Sequence, residues 1–378
     1  MPAQPLTPEA LARAVAEFEA NGAVVFRDSL SSAEVQMLRE TFAANRQAKP
    51  LNWTLRGKDR TIEDGPTGES GRWQTDEVLR TDTGAIAVVA RHPPLMQLVS
   101  ELIGPSARFS GVGAMWREPV PEAPPPTVPP AYAAAGIHWQ LWHREAGGHH
   151  APSHSRCIPS LQCIFYLDDC DATSHCFSYV PESVAQKQAL PLEPGAAENS
   201  RISVKRDSPT GSATMWTNKP LAGRPGWPFD LGSGTDVLAP AGSLIVLNNN
   251  NLHAGTVRGP TDRPRRTLHV SYALPRPLSR RCMCCLRECT RCVYTQARAH
   301  GWRRRYHNKD AYSGSAAEAH VPVPVPEGVA SAAVEAAREF AASVPSEWRW
   351  MYEVGQLVRD HFGRADSGYP DQTSVARL

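Results

Sequence analysis

The segments Trp142-His143-Arg144-Glu145 and Asn250-Asn251-Leu252-His253 decide how this chain is interpreted. On an extended segment the side chains alternate between two sides, so His143 and Glu145 project in the same direction. Non-haem iron(II) oxygenases hold their metal with two histidines and one carboxylate, and they leave the remaining positions open for co-substrate and oxygen. His143, Glu145 and His253 are therefore the candidate iron ligands.

The sequence around His253 indicates a β architecture. The run Ala241-Gly242-Ser243-Leu244-Ile245-Val246-Leu247 is apolar and rich in β-branched residues, which favours a buried strand with His253 beyond its end. Between residues 161 and 273, short apolar runs alternate with turn clusters, as they do in antiparallel sandwiches. Proline, at 34 of 378 residues, also suits a loop-rich β fold. We predict a mainly β chain, a double-stranded β-helix (jelly roll) with flanking N-terminal and C-terminal helices.

Other histidines compete for the role of ligand. The chain has 13 of them, so a single His-x-Glu triplet has little weight by itself. His138-Trp139-Gln140 is the nearest competitor, but a neutral glutamine is a poorer ligand for a divalent cation than a carboxylate. His149, His150 and His154 lie among glycine, proline and serine residues, which indicates a solvated loop.

The order of motifs resembles the phytanoyl-CoA dioxygenase family of iron(II)- and 2-oxoglutarate-dependent oxygenases. Trp142-His143-Arg144-Glu145 matches the family's W-H-x-D, and residues 262–268 resemble its closing arginine motif. Further similar segments are residues 18–30, 161–169, 177–183 and Pro240-Ala241-Gly242-Ser243-Leu244. The resemblance covers residues 8–273, and it rests on the shared order of the motifs rather than on any one of them.

The resemblance implies an activity and a co-substrate site. The family's 2-oxoglutarate chelates the iron, an arginine holds its distal carboxylate, and decarboxylation to succinate drives hydroxylation of an unactivated C–H bond in a small organic or lipid-like substrate. No catalytic residues beyond the metal ligands are implied. The planar fork of an arginine suits a carboxylate, and the motif position favours Arg265, twelve residues after His253. Arg266 is next in line, and only one of the two can face the pocket because they alternate on a strand. The residues Asp262-Arg263-Pro264 are of types that favour turns, so a solvated basic turn is the other interpretation of this stretch.

Two positions depart from the family pattern. Glu145 stands where the family usually has Asp, and its longer arm changes how the carboxylate reaches a metal. This difference supports a second hypothesis, a catalytically inactive jelly-roll binding protein of the same fold. Glu145 also disfavours halogenation, because related halogenases leave the carboxylate position to the halide. Glu182 and Val184 replace the common Gly and His in a segment that we interpret as a loop.

The organisation along the chain suggests three segments. We expect an oxygenase-like jelly-roll domain with an N-terminal helical buttress at residues 1–278, a basic cysteine-rich insert at 279–320, and a linker with C-terminal helices at 321–378. Within the last segment we predict helices around 327–343 and 346–362, packed onto the barrel by Trp348, Met351, Tyr352 and Phe362.

The N-terminal helices carry clear boundary signals. Thr7 can cap a first helix with Pro8 at its first position, followed by a strand from Ala23 to Phe26. Ser31 with Glu34 forms a capping box for a second helix. Its buried stripe is Val35, Leu38 and Phe42, and that of the first helix is Leu11, Val15 and Phe18.

A cysteine cluster runs from Cys282 to Cys292 as C-x-C-C-x3-C-x2-C. Thiolates at short spacing can close a tetrahedral zinc site, here with His300 or His307 as a second half, which supports a third hypothesis of a zinc-stabilised interaction protein. The spacing matches known zinc signatures only in part. We therefore favour an exposed insert with reduced thiols over zinc at this cluster.

Charge and hydropathy limit the partners. The formal net charge of +2 gives no reason to expect nucleic acid, and no apolar run is long enough to span a membrane. The N-terminus lacks the pattern of a signal peptide, and Ala376-Arg377-Leu378 only distantly resembles a peroxisomal ending, so we expect a cytoplasmic protein without excluding an organelle. The partner we expect is a small-molecule substrate. The sequence names neither that substrate nor the oligomeric state.

Overall fold

The computed structural model describes residues 4–48, 53–56, 72–75, 78–104, 107–124, 133–140, 160–181, 234–249, 251, 253–273 and 323–363. These residues form two antiparallel β sheets with helices packed against one of them. The mainly β jelly roll with flanking helices is thereby confirmed.

The strands divide into a major and a minor sheet. They are β1 (Ala23–Phe26), β2 (Thr54–Arg56), β3 (Arg72–Thr75), β4 (Arg108–Arg117), β5 (Ile137–Gln140), β6 (Ser160–Tyr166), β7 (Cys176–Tyr179), β8 (Thr235–Val237), β9 (Leu244–Asn248), β10 (His253–Arg258) and β11 (Arg265–Ala273). The major sheet has the order β1-β9-β6-β11-β4-β3-β2, and the minor sheet has the order β5-β10-β7-β8. β11 is therefore a central strand of the major sheet, hydrogen-bonded to β4 on one side and β6 on the other.

The two sheets face each other across a mixed apolar and polar interior. Tyr166 of β6 crosses this space: its hydroxyl donates to the Val237 carbonyl oxygen of β8 at 3.1 Å and accepts from the Phe177 N–H of β7 at 2.8 Å. We call the side of the major sheet that faces the minor sheet the inner face and the opposite side the outer face.

Helices cover the outer face. They are α1 (Pro8–Asn21), α2 (Ser32–Ala48), α3 (Val78–Thr81), α4 (Thr83–Ala90), α5 (Pro93–Leu102), α6 (Ser331–Ser343) and α7 (Val354–Leu357). Leu268 and Val270 of β11 are fully buried in one apolar cluster with Phe18 of α1 and Leu38 of α2. Burial of aliphatic and aromatic side chains at this layer is the main source of stability, at roughly 25 cal/mol per Å² of apolar surface.

The N-terminal elements form as their capping signals predict. The Thr7 hydroxyl accepts from the Ala10 N–H at 3.3 Å, and α1 ends at Gly22, whose φ of 73° suits a glycine. At α2, the Ser31 N–H donates to Glu34 Oε2 at 2.8 Å, and the Glu34 N–H donates to Ser31 Oγ at 3.3 Å, which is the reciprocal pattern of a capping box.

The prediction of a second C-terminal helix over 346–362 is wrong in part. The chain forms a 3-10 turn at Arg349–Met351, the short helix α7, and a π-helical turn at Val358–Phe362. Tertiary contacts override the helical periodicity: the Tyr352 hydroxyl donates to the Ala90 carbonyl oxygen at 2.6 Å, and Gly355 packs against the Val323 carbonyl so closely that a Cβ would lie 1.7 Å from its oxygen.

The packing predicted for this C-terminal region is nevertheless found. Met351, Tyr352 and Phe362 are buried in the outer-face cluster, and Trp348 packs against it. The Tyr352 hydroxyl also lies 2.6 Å from the hydroxyl of Tyr272 in β11, so the region is tied to the central strand of the major sheet. The insert at 279–320, with the cluster from Cys282 to Cys292, lies outside the described residues and remains a prediction.

Candidate functional site

His253 stands at the turn that carries the chain from the major to the minor sheet. β9 ends at Asn248, and the Asn251 N–H donates to the Asn248 carbonyl oxygen at 2.7 Å, which closes a tight turn. His253 is then the first residue of β10, rather than the end of the preceding strand, and pairs with Tyr179 of β7. Only 2% of its surface is exposed.

The contacts of His253 fix which ring nitrogen can bind a metal. Nδ1 lies 2.8 Å from the Asn251 carbonyl oxygen. A carbonyl oxygen only accepts, so Nδ1 carries the proton and Nε2 carries the lone pair that a metal ion accepts. The ring also packs on Phe177, with 5.6 Å between centroids and 31° between planes. The imidazole is thus oriented by two neighbours and has the tautomer that metal-bound histidines commonly have.

The N-terminal end of the chain shapes the same turn. The Asn251 amide donates to the Asn21 carbonyl oxygen at 3.0 Å, and the Asn248 N–H donates to the Gly22 carbonyl oxygen at 2.9 Å. A Cβ on Gly22 would lie 2.6 Å from Asn251 Nδ2, so only glycine fits here. The residues that end α1 therefore hold the turn that presents His253.

His143 and Glu145 lie outside the described residues, but the strand that leads toward them is described. β5 ends at Gln140, which pairs with Thr256 of β10 in an antiparallel arrangement. Gln140 is three residues before His143, and Thr256 is three residues after His253. Because the strands are antiparallel, β5 runs toward the end of β10 at which His253 lies.

His138, the competing histidine, has a structural contact. Its Nε2 lies 2.9 Å from the Glu122 carbonyl oxygen, and the side chain is 6% exposed. Gly259 leaves the space for it, since a Cβ at that position would lie 2.4 Å from Nε2. This contact joins β5 to the chain that follows β4.

Arg265 and Arg266 face opposite sides of β11, as their alternation predicts. Arg265 Nη1 donates to the Cys176 carbonyl oxygen on the minor sheet, so its side chain crosses the interior. Arg266 lies on the outer face, where Nε and Nη2 donate to Asp168 at 3.0 and 2.5 Å and the guanidinium stacks over Trp116 at 5.2 Å. Arg265 alone of the two can meet a ligand between the sheets.

Arg265 lies beside the strand that carries His253. A Cβ on Gly255, two residues after His253 and on the same face of β10, would be 3.5 Å from Arg265 Nη2. The missing side chain of Gly255 therefore leaves room next to the guanidinium. Arg265 is 7% exposed, its Nε is buried without a hydrogen-bond partner, and no carboxylate among the described residues forms an ion pair with it.

Arg265 lies beside a second buried arginine, its cross-strand neighbour Arg117 in β4, and beside neutral groups. Burial, followed by the charges of Arg117 and Arg265, lowers the pKa of His175 to about 3, so this imidazole is uncharged at neutral pH. Its Nε2 donates to the Glu118 carbonyl oxygen at 3.0 Å and its Nδ1 accepts from the Arg258 N–H at 3.0 Å. Burial raises the pKa of the Cys176 thiol to about 11. Two neighbouring buried cations with these neutral groups around them favour an anionic ligand.

A polar row on the inner face was not predicted from the sequence. Thr267, His269 and Ser271 follow Arg265 at every second position of β11, and Gln162 of β6 lies beside them. The signal was present, because polar residues alternate with Leu268, Val270 and Tyr272. Such alternation indicates one polar face, but it does not tell whether that face meets bulk solvent or a pocket.

The described residues fit one part of a metal site. They contain no cluster of three or more histidine, cysteine, aspartate or glutamate side chains able to hold a metal ion. His253 nevertheless has the tautomer of a ligand, and the other two candidate ligands lie beyond β5. In the same part of the chain, no helix is both long and apolar enough to cross a membrane.

Comparisons with known proteins identify relatives. The profile of the family described as phytanoyl-CoA dioxygenase (PhyH) matches residues 18–222, more than half of the chain, and includes His143 and Glu145. A search of curated proteins finds no significant match.

Solved structures similar to this chain include three proteins that bind or depend on 2-oxoglutarate, which is also called alpha ketoglutarate. The epimerase SnoN, in complex with Fe3+, alpha ketoglutarate and nogalamycin RO, is 16% identical with a TM-score of 0.47, covering 71% of this chain and 84% of its own. The alpha ketoglutarate dependent carbocyclase SnoK from nogalamycin biosynthesis is 17% identical with a TM-score of 0.47, covering 72% and 87%. HygX from Streptomyces hygroscopicus, with nickel and 2-oxoglutarate bound, is 16% identical with a TM-score of 0.44, covering 71% and 87%.

Proposed function

The chain belongs to the phytanoyl-CoA dioxygenase family, and from this premise we propose that it hydroxylates an unactivated C–H bond of a small organic substrate. Family membership makes it a 2-oxoglutarate-dependent dioxygenase that uses iron(II). We propose His143, Glu145 and His253 as the iron ligands. We propose Arg265 as the residue that holds the distal carboxylate of 2-oxoglutarate.

The observation that carries the proposal is the position of Arg265. Its guanidinium lies between the sheets, beside Gly255 and two residues along β10 from His253. Two residues of a strand span about 6.7 Å. A small dicarboxylic acid can bridge such a distance between a metal at His253 and the arginine. Because no described carboxylate pairs with Arg265, the co-substrate would supply the missing counter-charge.

The direction of β5 supports the two remaining ligands. Gln140 pairs with Thr256, and three further residues lead to His143, just as three residues lead back along β10 from Thr256 to His253. Glu145 then follows His143 with the spacing that puts both side chains on one side of an extended segment. Glutamate oxygen and imidazole nitrogen are the ligand types that non-haem iron(II) sites use.

The chain's own residues position the reactants. Asn251 holds the His253 ring through Nδ1, and Phe177 covers one side of the ring and limits access of water. Arg265 is itself held by the Cys176 carbonyl oxygen, so its fork is oriented before the co-substrate binds. When bound, the iron supplies the redox chemistry that couples decarboxylation of 2-oxoglutarate to hydroxylation of the substrate.

An anaerobic titration tests the proposal. Purified protein is mixed with iron(II) and then with 2-oxoglutarate, and the weak visible charge-transfer band of the chelate is followed. We expect the band in the wild type, its loss in His143→Ala, and a large increase in the 2-oxoglutarate concentration required in Arg265→Ala. Arg266→Ala is the matched control, since this side chain lies on the outer face. A folded wild-type protein without the band would contradict the proposal.

A Glu145→Asp variant separates an active oxygenase from the alternative, an inactive binding protein of the same fold. If Glu145 is a working ligand, shortening its arm lowers an existing 2-oxoglutarate turnover, because the carboxylate no longer reaches the metal in the same way. If the wild type is inert and Glu145→Asp gains turnover, the binding protein is the better description of the natural chain.

A further inference from the structure

Part of the inner face of β11 is exposed to solvent although the strand lies in the middle of a sheet. His269 and Ser271 are partly exposed, whereas their neighbours Leu268, Val270 and Tyr272 on the outer face are fully buried. A central strand has neighbours on both edges, so this exposure means that the minor sheet does not cover the inner face at His269 and Ser271. Gln162, which pairs with Ser271 in the adjacent strand β6, is partly exposed as well.

The polar side chains of this face are connected to one another. Gln162 Nε2 lies 3.2 Å from His269 Nδ1, and His269 Nε2 lies 2.9 Å from the Thr267 hydroxyl. With the amide as donor, Nδ1 accepts and Nε2 donates, so the chain of contacts holds the imidazole in one orientation. An oriented row of this kind presents hydrogen-bonding groups at fixed positions.

Some of these groups have hydrogen-bonding capacity to spare. Among the described residues, neither the Ser271 hydroxyl nor Oε1 of Gln162 has a hydrogen-bond partner. Gly111 pairs with Ser271 on the other side, in β4, and a Cβ built there would meet no atom within 4 Å. The donors and acceptors of the wall therefore border open space.

This wall lies at the His253 end of the barrel. Leu161 pairs with Asn248, the last residue of β9, and Gln162 follows directly. Asn248 begins the tight turn that leads to His253. Arg265, by contrast, is four residues before His269 on β11, about 13 Å away along the strand. A ligand on the wall would thus lie near the proposed iron ligand and apart from the carboxylate anchor.

We infer that this wall, formed by Gln162, His269 and Ser271, binds the substrate, and that the substrate is a compound rich in hydroxyl groups rather than a lipid. The inference rests on the proposed function, because it assigns the substrate of that same site. The Gln162 amide and the Ser271 hydroxyl can each donate and accept, which is the capacity that hydroxyl groups require, and His269 holds the amide in place. An alkyl chain would leave these groups without partners, at about 1–3 kcal/mol for each buried one.

Ligand-observed saturation-transfer NMR tests the inference with two sets of probes of matched size. One set contains methyl glycosides and inositols, and the other contains alkyl and cycloalkyl carboxamides. The full chain is loaded with zinc(II), which has no redox chemistry, and with 2-oxoglutarate. We expect binding from the hydroxylated set, weakened about tenfold or more in a Gln162→Leu, Ser271→Ala double variant, as the loss of two hydrogen bonds implies.

The matched control changes the same residue types at exposed positions, as Gln36→Leu and Ser110→Ala. It should leave binding unchanged. Preferential binding of the apolar set, unaltered binding in the wall variant, or no binding from either set would each overturn the inference. The charge-transfer band separates the two proposals: a normal band without hydroxylated ligands contradicts only the substrate class, whereas a missing band contradicts the oxygenase site itself.

Discussion

The two faces of β11 differ in composition and in what they do. On the outer face, Leu268, Val270 and Tyr272 are fully buried against the helices. On the inner face, the alternating positions from Arg265 to Ser271 are all polar and include His269. The outer-face residues of this strand therefore stabilise the fold, and its inner-face residues contribute to the proposed site. Substitutions on the two faces should separate into effects on unfolding and effects on ligands.

The largest effect is expected where the minor sheet meets this inner face. His253→Ala should abolish turnover of 2-oxoglutarate, because a site with one nitrogen ligand missing holds iron poorly. Succinate formation is the measurement. His138→Gln serves as the control, since His138 contacts a backbone carbonyl instead, and it should retain turnover if the protein remains folded. Turnover by a folded His253→Ala protein would contradict the ligand assignment.

The outer face should show the next largest effect. Leu268→Ala removes a fully buried side chain from the apolar cluster, and such changes lower the free energy of unfolding by about 2–5 kcal/mol. Denaturant unfolding measures this loss. Below the unfolding transition, the affinity for 2-oxoglutarate should stay unchanged, and a matching drop in affinity would show that the two faces are not independent.

Arg265 and Arg266, which are adjacent but lie on opposite faces of β11, extend the comparison to charged side chains. Arg265→Lys replaces a planar fork by a point charge and should weaken 2-oxoglutarate binding by about 10- to 100-fold, as expected for loss of a charge-assisted hydrogen bond. Arg266→Lys loses its paired contact with Asp168 on the outer face and should lower stability with little change in affinity. Both variants are titrated with 2-oxoglutarate, and the charge-transfer band measures their affinities. Equal effects on affinity would contradict the assignment of Arg265.

The effect that is smallest at neutral pH concerns the buried His175. Its pKa is lowered to about 3 from an ordinary value of 6.5, so the unfolded chain binds one more proton between these values. The stabilising contribution of the neutral imidazole is thus complete above pH 6.5 and decreases below it, by up to about 1.4 kcal/mol per pH unit. His175→Gln can keep both hydrogen bonds without titrating. The difference in unfolding free energy between the two proteins should change with this slope, and a pH-independent difference would contradict it.

Local signals predicted much of the fold. Thr7 and the pair Ser31 and Glu34 specify helix starts through contacts within three residues, so the sequence contains all that is needed. The alternation of Arg265 and Arg266 also follows from strand geometry alone, once a strand is assumed.

Features that depend on distant contacts could not be predicted in this way. The broken C-terminal helices reflect the hydrogen bond of Tyr352 to Ala90 and the packing of Gly355 on Val323. The tautomer of His253 depends on the Asn251 carbonyl oxygen, whose direction is set by the turn. The polar wall became recognisable only when partial exposure on a central strand showed that the minor sheet does not cover it.

The hydrogen bonds of Asn21 and Gly22 to the turn before His253 have a practical consequence for anyone who shortens or redesigns this protein. The first helix looks dispensable because it is far from His253 in sequence, yet its last residues hold the backbone of the turn before that histidine. Deleting it, or placing a bulkier residue at Gly22, would shift the imidazole while leaving every proposed ligand in the sequence. Loss of iron after such trimming would come from the altered scaffold, and a search confined to the pocket would miss the cause.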